Sequence, residues 1–411
     1  MKPARDAQAI TNRIAAVVFI GGIGGGLVFP ILPALGLALG IQGFMVGLIL
    51  SANRIARLIF NMPAGNLIGR IGPRRILTFA LTVESLGILC FSAALHLGHA
   101  QWWLLSGRFI FGIGSAFLFV GSQAAVLMMS EHADRGRKTT TVRLAQNVSV
   151  PFGLVFGGVI ASFLGNDAAF LSGTVITALS AAYAFTALPA MGPRPPEQAS
   201  KSQAGIRAIL RAPGLSFVFA AWMANLLIFL TVQGALLATL VLLIEDRHLQ
   251  IFGMQPQGTS GVVMAVMIAA SAAVASLSGR VIDANRWRST LVFPALVVLA
   301  AGFVVLGLAP NLWGMLAGVI LVGLSFNAVS LPMMALMGDN LSREQQGPAT
   351  GALQLFGDIG GTIGPMAGVQ IALHLGLGPF YIGMGALVAV ALVPMFFVHL
   401  MEGRSGSAAN T

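Results

Sequence analysis

Long apolar runs of about twenty residues alternate with short polar gaps from one end of the chain to the other. Since a helix needs roughly 20 apolar residues to cross a bilayer, the pattern predicts twelve spans, near 14–35, 43–64, 75–95, 102–124, 143–164, 168–190, 215–243, 259–278, 289–309, 312–337, 348–374 and 379–400. The first run has no small-residue cleavage site after it and is read as a retained span. Its GGIGGG stretch with Pro30 and Pro33 predicts a loosened helix, and Pro151 and Pro365 predict kinks in spans 5 and 11.

The longest polar gap divides the pattern in two. It yields an N-terminal six-helix bundle at 1–190, a cytoplasmic linker at 191–213 and a C-terminal six-helix bundle at 214–411. At an offset of 211 residues Trp102 falls on Trp313, Gly107 on Gly318, Gly112 on Gly323, Gly136 on Gly347, Gly153 on Gly364 and Gly157 on Gly368. One half-molecule used twice is the simplest source of such a match.

Composition sharpens this picture. With 56% apolar residues, 9% charged residues and a mean hydropathy of +0.87, the 411-residue chain cannot assemble a water-facing surface. It is read as an all-α integral membrane protein. The net charge of +10 is not a nucleic-acid face. Counting Arg75 and Arg143, the first residues of spans 3 and 5, nineteen of the 23 Lys and Arg residues sit in the N-terminal tail, the gaps after even-numbered spans and the C-terminal tail, among them Arg135, Lys138, Arg207, Arg211 and Arg286. The odd gaps hold Arg247 alone. Both termini are therefore expected in the cytoplasm.

Cys90, the single cysteine, excludes a disulfide framework, and no His or Cys stands at ligand spacing beside the Met pairs, so no metal and no cofactor is expected. No nucleophile with a base and no phosphate loop marks an enzyme. A non-transporting receptor would usually bring a soluble domain, for which the polar gaps are too short. His96, His99, His248 and His374 lie at non-cytoplasmic span ends.

Ionisable and amide side chains inside a bilayer are costly and mark functional paths. Here they are Arg54 and Arg57 in span 2, Glu84 in span 3, Arg108 in span 4, Gln146 and Asn147 in span 5, Asn225 and Gln233 in span 7, Asn327 in span 10, and Gln354 and Asp358 in span 11. Arg54, Arg57 and Asn61 share one helix face. At 1.5 Å per residue, Arg54 lies roughly 16 Å from Gly65, and Asp358 and Glu84 each lie roughly 14 Å from the cytoplasmic end of their spans.

Two basic stretches leave the membrane at corresponding places, Gly65 to Arg75 (GNLIGRIGPRR) after span 2 and Gly279 to Arg288 (GRVIDANRWR) after span 8. Both read as glycine-started loops. With the six-plus-six spans and the central basic linker, they resemble the major facilitator superfamily of secondary transporters. Gly65, Leu67, Arg70, Gly72, Arg74 and Arg75 match that family's loop, with Gly69 in place of its acid and Pro73 in place of a basic residue. The second copy keeps Gly279, Asp283 and Arg288 and has Arg286 where a glycine belongs. Arg108, Gly112 and Gly114 resemble an Arg-x-x-x-Gly-x-Gly element associated with proton coupling. Gly153, Gly157 and Gly158, and better Gly364, Pro365 and Gly368, resemble an element of the drug/proton exporters.

The resemblance implies a monomeric carrier in a bacterial inner membrane that works by alternating access, taking a small organic or amphipathic solute outward and protons inward. An uptake carrier for an organic anion is the alternative, because Arg54, Arg57 and Arg108 would suit a carboxylate. The resemblance also implies that spans 2 and 11 face each other, so Asp358 paired with Arg54 or Arg57 would form a gate. The competing expectation is that Glu84 satisfies Arg54 or Arg57 within one bundle, or that these arginines snorkel. Asn147 corresponds to Asp358 in the 211-residue frame, giving one half an amide where the other has an acid.

Overall fold

The structure is a computed structural model that describes residues 2–130, 134–190, 214–285 and 287–408. The 191–213 linker and Arg286 lie outside the described residues. Helices and turns account for the secondary structure of the described residues, and they contain no strand. Among the described residues, packing gathers 2–190 and 250–265 into one unit and 214–249 and 266–408 into a second.

The first unit contains α1 (Lys2–Gly26), α2 (Leu32–Ala38), α3 (Gly43–Ile71), α4 (Pro73–His96), α5 (Ala100–Met129), α6 (Arg135–Leu164) and α7 (Asn166–Ala187), with the first turns of α10 (Pro256–Ala284). Inside it α4 packs on α5 and α7, α3 on α5, and α1 on α6 and α7. The expected loosening of the first span takes the form of a break. Pro30 excludes a helical carbonyl four residues earlier, and α1 stops at Gly26.

The second unit contains α8 (Leu215–Ile228), a π-helical segment (Phe229–Leu236), α9 (Leu237–Asp246), the remainder of α10, α11 (Ser289–Leu308), α12 (Leu312–Asp339), α13 (Arg343–Leu375), α14 (Leu377–Val390) and α15 (Leu392–Ala408). Here α11 packs on α12 and α14, and α13 packs on α8 and the π segment. The last predicted span is two helices meeting at Ala391, one turn before Pro394, whose ring cannot accept the regular ladder.

Eleven helical stretches among the described residues are long and apolar enough to cross a membrane. The 33-residue α13 is not among them, because Gln354, Asp358 and Thr362 at four-residue spacing lay a polar stripe along its middle. Apolar burial does little to drive one membrane helix onto another, since lipid is equally apolar, so close approach at small residues supplies the packing. Those approaches repeat at the 211-residue offset. A Cβ on Gly107 would strike the carbonyl of Gly87, one on Gly318 would strike Leu306 and crowd the carbonyl of Gly302, and one on Gly112 or Gly323 would strike the carbonyl of Asn53 or Met267. Likewise Gly153 packs on Gly26 in the first unit and Gly364 on Gly234 in the second. At both places the regular α-helix of the partner gives way, at the end of α1 and in the π segment.

Candidate functional site

In the first unit three helices bring the predicted charged residues together. Gly112 lets α5 lie against the Asn53 backbone and the Ala56 methyl of α3, and Gly114 lets it lie against Ala80 and Glu84 of α4. Any Cβ at either glycine would meet backbone at sub-van-der-Waals distance. The two glycines of the Arg-x-x-x-Gly-x-Gly element therefore seat the helix that carries Arg108.

Arg108 is 1% exposed. Its Nη2 donates to the Leu50 carbonyl at 3.4 Å, and the guanidinium lies 5.1 Å from the Phe29 ring centre and 5.9 Å from that of Phe111. Its Nε and Nη1 are buried with no hydrogen-bond partner. Arg54 is near enough for its charge to act on Arg108. Arg57 lies 5.5 Å over Phe119, with its Nε buried and unpartnered. Glu84 is 1% exposed, its Oε2 has no hydrogen-bond partner, and the Arg57 charge reaches it. Glu84 and Arg57 thus share a neighbourhood within one unit, but through space and without a bond to Oε2.

The two amides of span 5 part company. Gln146 joins α6 to α5, donating to Ser122 Oγ at 3.0 Å and accepting from Gln123 at 3.1 Å, while Asn147 is exposed.

In the second unit the predicted polar residues are tied largely to backbone. Asn225 donates to the Leu353 carbonyl at 2.7 Å, and Trp222 donates to that of Ala349 at 3.1 Å while stacking on Phe356 at 5.3 Å. Asn327 donates to the carbonyl and hydroxyl of Ser271 at 2.9 and 2.8 Å. Asp358 is 3% exposed; Gln354, exposed itself, reaches its Oδ1 at 3.5 Å. Gln233 is half-buried within the π segment.

The basic stretches differ from the expected loops. α3 runs through Gly65 and Arg70 to Ile71, and the chain turns at Gly72, whose φ of 85° favours glycine. Pro73 starts α4, where its missing N–H costs nothing. Arg74 stacks 4.1 Å from the Phe185 ring. At the second stretch α10 continues through Gly279 and Asp283 to Ala284, Asp283 is exposed, and Arg288 pairs with Asp339 at 3.1 Å.

Other contacts were not anticipated. Arg247, the lone basic residue of the odd gaps, donates to the carbonyls of Leu306, Gly307 and Ala309 and closes the C-terminus of α11. Glu402 accepts from the backbone N–H groups of Arg288 and Ser289 at 2.7 and 3.1 Å and caps the N-terminus of the same helix. Asp167 joins α7 to α4 through Ser92 and through His96 at 3.0 Å. An acid in the first turn of α7 and an arginine isolated from the other cations were the available signals.

The family description "Major Facilitator Superfamily" matches residues 14–365 and 259–410. Among curated relatives, the Escherichia coli K12 protein named "Uncharacterized MFS-type transporter YhhS" is 26% identical over 411 residues, covering 95% of this chain and 94% of its own. The Salmonella dublin "Multidrug resistance protein MdtG" is 30% identical over 141 residues, 34% of each chain. A crystal structure of a bacterial homologue of the human lysosomal transporter Spinster, inward-facing and unoccupied, superposes with a TM-score of 0.76 at 13% identity over 96% of this chain and 97% of that one.

Proposed function

This chain belongs to the Major Facilitator Superfamily of secondary transporters, and from that premise we propose that it exports a small amphipathic organic solute in exchange for protons. It does so by alternating access, as a monomer in a bacterial cytoplasmic membrane. The observation that carries the reading is the charged cluster of α3, α4 and α5. A guanidinium 1% exposed and short of partners, in the same three-helix packing as a carboxyl equally buried, is expensive in a bilayer and serves where charge is moved or recognised. The partial likeness to MdtG supports the outward direction.

The test uses purified protein in liposomes under an imposed pH gradient. Ethidium, a neutral amphipath and an aromatic carboxylate are offered in turn, and proton movement is read with a trapped pH dye. Export coupled to protons predicts substrate-dependent proton entry that Asp358→Asn abolishes; substrate flux indifferent to the gradient defeats it.

A second reading, uptake of an organic anion, has its own support. Arg54 and Arg57 are half-exposed at bilayer depth, where a cation facing lipid would be costly, so their face lines a watery path. The unpartnered donors of Arg57 and Arg108 are the groups a carboxylate would engage. Inward movement of the carboxylate probe with protons, and none of ethidium, selects this reading.

A further inference from the structure

Glu84 belongs to the charged cluster on which the transport reading rests, and its burial is as complete as that of Arg108. It lies 1% exposed on α4, with its Cγ closed over by the backbone approach of Gly114. Oε2 has no hydrogen-bond partner. A carboxylate held this way would forgo several kcal/mol of solvation without recovering it in bonds. A proton on the carboxyl removes that cost, so this packing accommodates the neutral acid.

The surroundings also supply what the charged form would need. Arg54 and Arg57 on α3 and Arg108 on α5 are the other charged groups of this cluster; α7 meets the neighbouring Ser85 through the Thr174 carbonyl, and α1 lies against Leu81 and Ile88 through its glycine-rich stretch. Arg57 is the charge that reaches Glu84, and its Nε is buried and unpartnered. A shift of α3 along α5, on which α4 also packs, would bring the guanidinium and the carboxylate into contact.

We propose that Glu84 is the proton-carrying group of the first unit, alternating between a neutral carboxyl packed beneath Gly114 and a carboxylate paired with Arg57. The O–H bond of the carboxyl breaks, the proton passes to water along the half-exposed Arg54 and Arg57 face, and the negative charge left behind is countered by Arg57. Protonation thereby selects where α3 and α4, each packed on α5, sit relative to one another, as any ligand that binds one state better must. This rests on the proton-coupled reading above. It places the proton site inside the first unit, on a helix other than those carrying Arg108 and Asp358.

Infrared difference spectroscopy of the reconstituted full chain tests it without knowledge of the substrate. The wild type should show the carbonyl stretch of a protonated carboxylic acid at low pH and lose it as pH rises. Glu84→Gln should lack the band while melting like the wild type, Glu84→Asp should keep a displaced band, and Asp358→Asn should leave it in place. Arg57→Gln, which removes the counter-charge, should retain the band at pH values where the wild type has lost it. A band that survives in Glu84→Gln, or one that never responds to pH, overturns the proposal. If Glu84 titrates as described but an imposed pH gradient drives none of the three probes, the site assignment stands and proton-coupled export falls.

Discussion

The two units solve the same problem, polar groups inside a membrane, in opposite ways. In the first, Arg108 and Glu84 are buried and Arg57 is half-buried, each with polar atoms left unpartnered, and phenylalanine rings and a glycine lie against them. In the second, Asn225, Asn327 and Trp222 hand their N–H groups to backbone or hydroxyl oxygens at 2.7 to 3.1 Å. Satisfied amides act as fasteners between helices, whereas unsatisfied charges hold a site open to something else. Under the proposed function, the difference separates the side chains that serve transport from those that hold helices together, in a chain whose repeated glycines make corresponding contacts in both units.

The most severe break of this contrast is at Arg108. Arg108→Gln should lower transport roughly a hundredfold or more, as losing one buried charge commonly costs 2–5 kcal/mol of interaction. Its melting temperature in detergent should hold or rise, because a buried charge with idle donors is weak support for the fold. Loss of folding with loss of transport would place Arg108 among the fasteners.

Next in size is a matched pair of overpacking substitutions. Gly153→Val drives a side chain into Gly26, and Gly364→Val drives one into Gly234 and the Leu230 carbonyl. Each should destabilise by about 1–3 kcal/mol, read as a fall in the detergent melting temperature. Equal losses would confirm that the two units share one packing scheme, and a large inequality would limit the repeat to sequence.

Much of this was legible in the chain itself. Apolar run length locates the crossings, and the 211-residue frame names glycines that make corresponding contacts in the two units. The remainder was hidden for identifiable reasons. A run of apolar residues reads the same whether it forms one helix or two, so the breaks after Gly26 and at Ala391 show only through Pro30 and Pro394. The π segment leaves composition unchanged, and nothing in FLTVQGAL distinguishes it from α-helix. Glycine and arginine after span 2 suggested a loop, but helix persists to Ile71 because one residue, Gly72, makes the whole turn. Site residues were legible as types, since charge in hydrocarbon stands out. Their partners were not, because the Leu50 and Leu353 carbonyls that receive Arg108 and Asn225 carry no side-chain signature.

A smaller effect is expected from the second unit's fasteners. Asn225→Leu removes the amide that reaches Leu353 and fills similar space. Membrane-embedded side-chain hydrogen bonds average about 0.6 kcal/mol, so the melting temperature should fall slightly and transport should stay within a few fold of wild type. A loss as deep as that of Arg108→Gln would show that the second unit's amides also contact cargo.

The smallest expected effects separate the two basic turns. With Gly69 where an acid would stand, Arg74 rests on the Phe185 ring; in the second unit Arg288 pairs with Asp339, which is 55% exposed. Arg74→Ala should cost about 0.5–1 kcal/mol, the range for an exposed cation over a ring, and Arg288→Ala about 0–1 kcal/mol, the range for exposed ion pairs. Salt distinguishes them, since half-exposed opposite charges are screened while the stem and plane of an arginine packed on phenylalanine keep their contact. Melting curves at low and high ionic strength should therefore show the Arg288→Ala penalty shrinking with salt and the Arg74→Ala penalty persisting. If both penalties vanish together, the arginine at the first turn acts through charge alone and the ring beneath it is incidental.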